Sequence, residues 1–225
     1  TFTTTRLIFA GRLADPNWRI FDLGGPAGNV LWAAVCFVLQ RVVRGPAAKA
    51  RLFLWASMGF SLFWEAGYLI RSGVSGNGDP MALVEGLLPR ETGQVLLVVA
   101  GLVLFRAVIS LVCAESRYVL NWSAPRGLRR AVALLVTLCA GATLVACAGP
   151  YLDPRGKIEM LNSGAMSTVP AWVGFAFVVL LLARQNAPPV ATGECVRRSA
   201  GVIVLAVVVP ILFVAVLGPG IHVRV

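Results

Sequence analysis

A chain of 225 residues that is 58% hydrophobic and only 13% charged departs from soluble domains, in which about a quarter of residues are charged. With a mean hydropathy of +0.80, this composition excludes an ordinary soluble enzyme and implies an all-α integral membrane protein embedded in a lipid bilayer. The net charge of +10 does not imply a nucleic-acid partner, because the basic residues gather in short loops between apolar stretches, as the positive-inside rule requires.

Residues 1–23 are too polar to cross a bilayer. β-Branched residues dominate the start of this stretch, so it is expected to be a short extramembrane arm with strand character. Asp15-Pro16-Asn17 reads as a turn, and Trp18 and Phe21 fall where interfacial aromatic anchors are expected. Six apolar segments follow, at Gly24–Val43, Arg51–Ile70, Gly93–Val112, Ala131–Gly149, Val169–Ala183 and Ala200–Leu217. Each approaches the length of about 20 residues that a transmembrane helix needs. Residues 24–217 are therefore expected to form a bundle of about six transmembrane helices, with 218–225 as a short tail. Pro210 predicts a kink in the last segment. No internal repeat is visible, which argues against a transporter built from inverted repeats.

Charge sets the expected orientation. Arg41, Arg44, Lys49 and Arg51 follow the first segment. Arg117, Arg126, Arg129 and Arg130 follow the third, and Arg184, Arg197 and Arg198 the fifth. The intervening loops balance their basic residues against Asp79, Glu85, Glu91, Asp153 and Glu159. The three basic loops are thus expected on the cytoplasmic side, in a bacterial inner (cytoplasmic) membrane, with both ends of the chain outside.

Ser57, Ser61, Glu65, Tyr68 and Ser72 recur at steps of three and four, which places them on one face of the second segment. An acid within a membrane span is costly and marks a candidate functional site. One reading makes the stripe a helix–helix contact; the other makes it a water-lined site in which Glu65 handles protons. Arg106 in the third segment is the candidate counter-charge. At 1.5 Å per residue Glu65 stands about 21 Å above the inner end of its span, and Arg106 about 9 Å if its span ends at Val112. The two come level only if that helix continues to Arg117; otherwise Arg106 snorkels to the cytoplasmic interface. The loop from Gly73 to Pro80 lacks the lysine and strand–loop–helix setting of a P-loop, and is expected to be a tight turn or a short re-entrant piece ending at Asp79.

The five cysteines form no Cys-x-x-Cys pair and read as small buried hydrophobes. The only histidine is His222, so no cofactor or metal site is expected in the chain as it stands. The chain starts at Thr1 with neither a methionine nor a signal-peptide pattern, and a processed start or a preceding segment is expected.

Two stretches carry a resemblance. Gly24-Gly25-Pro26-Ala27-Gly28-Asn29, opening a span, resembles the Gly-Pro-x-x-Asn segment of site-2-protease-like intramembrane metalloproteases. Residues 67–79, GYLIRSGVSGNGD, are similar to a Gly-Tyr…Ser-Gly…Gly-Asp segment of small members of that family. The resemblance covers the first 80 residues and singles out Gly25, Pro26, Asn29 and Asp79. It implies a His-Glu-x-x-His zinc helix before the Gly-Pro segment, with the arm 1–23 between them and the zinc helix ahead of Thr1. The chain departs from the family in lacking a histidine pair. Trp64-Glu65-Ala66-Gly67-Tyr68 has the right spacing with both histidines replaced, but it follows the Gly-Pro segment instead of preceding it. Asp79 stands where a third ligand is implied, and one carboxylate does not hold zinc. The resemblance therefore implies a catalytically silent member, no enzyme in the chain as given, acting as a structural or assembly subunit among other membrane-protein subunits. The alternatives are an active zinc protease completed by residues before Thr1, and a small proton or solute transporter using Glu65 and Arg106.

Overall fold

Long apolar runs whose backbone groups can pair only along their own chain fold as helices, and the computed structural model is helical throughout its described elements. It describes residues 15–43, 48–119, 127–151, 166–184 and Val208. The elements are α1 (Asp15–Val42), α2 (Ala48–Ser75), α3 (Asp79–Val84), α4 (Arg90–Val119), α5 (Gly127–Tyr151) and α6 (Met166–Arg184). Five of the six apolar segments coincide with α1, α2, α4, α5 and α6. The sixth, with Pro210, lies outside the described residues apart from Val208. By length and composition two helices suffice to cross a membrane: Arg90–Ser116 within α4, 27 residues, and Met166–Arg184, 19 residues.

Three local expectations change. Asp15-Pro16-Asn17 is the first turn of α1, not a reverse turn. Proline is tolerated there because its missing N–H lies where a helix leaves that donor unpaired. Residues 15–23 are accordingly helical, while the strand expected at 1–8 lies outside the described residues. Pro26 is also accommodated within α1, and α2 runs on through Gly73 to Ser75 before the chain turns at Gly76.

The second helix is the hub. It packs on α1, α4, α6 and the short α3, while α5 packs on α6. Its approach to α4 is close because Gly101 has no side chain: a Cβ there would lie 2.9 Å from both the Ala66 carbonyl oxygen and the Ile70 nitrogen. Small residues permit such backbone contact between helices. The core centres on Trp55, Phe63 and Phe175, all essentially buried, with the Phe63 and Phe175 rings 5.4 Å apart and the Trp55 and Phe175 rings 5.6 Å apart. The indole of Trp55 donates to the Val112 carbonyl at 3.1 Å, so its one polar group is satisfied inside the core. The outward faces of α1, α4 and α6 are apolar as well, with Leu31, Val38, Val99, Val103, Phe177 and Leu180 exposed.

Candidate functional site

From Gly24 onward, where side chains of α1 are described, the buried residues are Asn29, Ala33, Cys36 and Gln40, spaced by four, three and four, and they make one face directed at the bundle. On α2 the same spacing buries Ser61, Glu65 and Ser72. Where the two faces meet, the Asn29 side-chain amide donates to Oε1 of Glu65; the residues are 3% and 4% exposed. The asparagine of the Gly-Pro-x-x-Asn stretch and the acid of the α2 stripe, 36 residues apart, thus form one buried pair.

Arg106, the candidate counter-charge, does not meet Glu65. Arg106 is exposed on α4 and donates to the Ser110 hydroxyl one turn further along. The reason is angular. The buried face of α4 includes Val108, Val112 and Glu115, and two residues of helix rotate a side chain by about 200°, which turns Arg106 to the opposite side.

The outer end of the stripe is built around Tyr68. Its hydroxyl donates to Oδ2 of Asp79 at 3.0 Å and accepts the backbone N–H of Asp79 at 3.1 Å. Gly78, with φ of 99°, turns the chain so that both contacts form; a Cβ there would sit 2.9 Å from Oγ of Ser72 and 3.2 Å from Oη of Tyr68. Oγ of Ser72 is buried, with no hydrogen-bond partner among the described residues. Asp79 is exposed. Because α1 packs on α3, the end of α1 that carries Gly25 and Pro26 is brought to the same end of the bundle as Asp79. Gly25 itself is exposed with open space beside its Cα, and Pro26 is half-buried.

A second polar cluster, at the opposite end of α1, did not emerge from the sequence. Glu115, nearly buried, accepts Arg41 at 2.5 Å and Gln40 at 3.3 Å, and Arg41 also stacks over the Phe37 ring at 4.3 Å. The available signal was Glu115 itself, a lone acid beside the basic loop after the third apolar segment. Between α5 and α6, the Thr143 and Thr168 hydroxyls bond at 3.0 Å and the Trp172 indole donates to Thr143 at 3.0 Å.

The zinc that the resemblance implies does not fit these residues. Among the described residues no group of three or more His, Cys, Asp or Glu side chains converges as metal ligands do. Glu65 is held by Asn29 and Asp79 by Tyr68. Cys36, Cys113 and Cys139 are buried in the apolar core cluster; His222 and Cys195 lie outside the described residues. What the arrangement does chemically is join helices: α1 to α2 at mid-length, α1 to α4 at one end, and the α3 turn to α2 at the other.

Comparison with known proteins finds no matching family model, no similar characterised protein and no similar solved structure.

Proposed function

We propose that this chain is a six-span membrane protein of the site-2-protease-like type that acts as a catalytically silent structural or assembly subunit of a larger membrane complex, its basic loops facing the cytoplasm of a bacterial cell. The observation that carries this reading is the Asn29–Glu65 pair. It joins the stretch that resembles the family to the one acid of the apolar segments, and it uses both side chains for helix contact. The apolar outer faces of α1, α4 and α6 suit a lipid or protein environment better than water. Extraction from the natural membrane in mild detergent should return an assembly well above the 23.9 kDa of the chain. A monodisperse monomer with full native function would overturn the reading.

A second reading keeps Glu65 as a proton-handling group in a small transporter. The Ser72 hydroxyl, buried on the same face with no described partner, favours it. It proceeds without Arg106, which points away.

A further inference from the structure

We propose that Asn77 is a self-modifying site: its side-chain amide is lost to attack by the Gly78 backbone nitrogen, and the isoaspartyl product frees Asp79 from Tyr68. The inference stands apart from the subunit reading and concerns the chemistry of the turn between α2 and α3. Asn77-Gly78 is the only Asn-Gly pair in the sequence, and both residues are exposed. A backbone nitrogen attacks the side-chain carbon of a preceding asparagine most readily when its own residue is glycine, because no Cβ stands in the way. The Gly78 N–H has no acceptor among the described residues, so no hydrogen bond holds that nitrogen back. Among the described residues one bond holds the Asn77 side chain, from Nδ2 to the Ser75 carbonyl at 2.9 Å, and it is exposed. Such a bond slows the reaction by about tenfold at most. The turn also demands glycine at 78: its φ is 99°, and a Cβ there would lie 2.9 Å from Oγ of Ser72. The residue that makes Asn77 reactive is thus one the fold requires.

The reaction needs water and nothing else. The Gly78 nitrogen gives its proton to solvent base and bonds to Cγ of Asn77, the Cγ–Nδ2 bond breaks, and Nδ2 leaves with a solvent proton as ammonia. Water then opens the cyclic imide. Opening at Cγ leaves an aspartyl residue. Opening at the main-chain carbonyl routes the backbone through the former side chain and leaves an isoaspartyl residue, which adds one methylene, about 1.5 Å of chain, ahead of Gly78. The turn has no slack for it. Gly78 lies against Ser72 and Tyr68, and its carbonyl accepts the N–H groups of Met81 and Ala82 at 3.0 Å each. The next N–H, of Asp79, meets Oη of Tyr68 at 3.1 Å. The longer link therefore displaces Asp79 from the Tyr68 hydroxyl and sets a second carboxylate near it, at the outer end of the α2 stripe.

The test ages the full chain in mild detergent micelles at mildly alkaline pH and follows each asparagine by peptide mass spectrometry, with isoaspartyl methyltransferase labelling to tell the two products apart. Asn77 should convert at least about tenfold faster than the buried Asn29 of the same chain. Asn77→Gln should abolish the conversion. Hydrogen exchange at the Asp79 backbone N–H reads the consequence. It should speed up by about tenfold or more in the isoaspartyl fraction. Freshly prepared Asn77→Asp, which brings the charge without the extra methylene, should exchange as the wild type does. Conversion of Asn77 no faster than that of Asn29, or seen only in denaturant, overturns the proposal. Isoaspartyl formation with unchanged exchange at Asp79 overturns it as well, and so does equal acceleration in Asn77→Asp, which would assign the effect to charge.

Discussion

The side-chain amide of Asn29 on α1 donates to the carboxyl group of Glu65 on α2, and both residues are nearly inaccessible to solvent. A buried polar group is tolerated when it is paired, and its partner becomes costly to remove. Glu65→Gln should therefore preserve assembly, since glutamine still accepts a hydrogen bond. Glu65→Leu and Asn29→Ala should each weaken the α1–α2 contact by about 1–2 kcal/mol, and the double substitution should cost less than their sum. Denaturation in mixed micelles reads these differences. An ion or proton flux lost in Glu65→Gln with assembly intact would favour the transporter reading.

Gly101→Val should destabilise the bundle by about 1–3 kcal/mol or more, because its branched side chain would collide with the backbone of α2 at Ala66 and Ile70. Gly101→Ala should be milder but still measurable. A thermal midpoint unchanged by the valine would mean that α2 and α4 stand further apart than described.

Glu115 serves an exposed arginine and a buried glutamine, and these contributions differ. The Arg41 side chain is 58% exposed, so the ion pair contributes little, whereas Gln40 is buried and loses an acceptor if Glu115 is truncated. Glu115→Gln should stay within about 1 kcal/mol of wild type, and Glu115→Ala should cost more, by about 1–3 kcal/mol. Raising the salt concentration should barely move the wild-type midpoint. A large salt effect would show that the ion pair dominates.

The proposed topology rests on the alternation of loop charge. Cysteines introduced at Lys49, Arg126 and Arg197 should be labelled from the cytoplasmic side, and those at Asn77 and Lys157 from the other. Labelling of Lys49 and Asn77 from one side rejects the six-span arrangement.

Helical periodicity made the α2 stripe legible, because steps of three and four on an apolar segment define a face whatever lies opposite. Asn29 was legible as part of a short motif, but its partner was not: a contact across 36 residues leaves no local trace. Arg106 stayed open between counter-charge and interfacial residue for a different reason. Opposite charge suggested a pair, while the spacing from Arg106 to Val108 and Val112 already placed it on the other side of α4. Local punctuation misled twice. Asp15-Pro16 starts a helix as readily as a turn, and Gly73 remains helical because α2 packs against α4 there, where a Cβ would lie 2.6 Å from the Gln94 carbonyl oxygen. The Glu115 cluster joins two helices far apart in sequence, α1 and α4, and single-segment patterns do not report such meetings.

The two fastenings on α1, at Asn29 and at Arg41, lie about 18 Å apart along its axis. Sliding or turning α1 against α2 and α4 would strip a buried polar side chain of its partner at each point, Glu65 at one and Gln40 at the other. The hydroxyl contacts of Thr143 with Thr168 and Trp172 hold α5 to α6 in the same way.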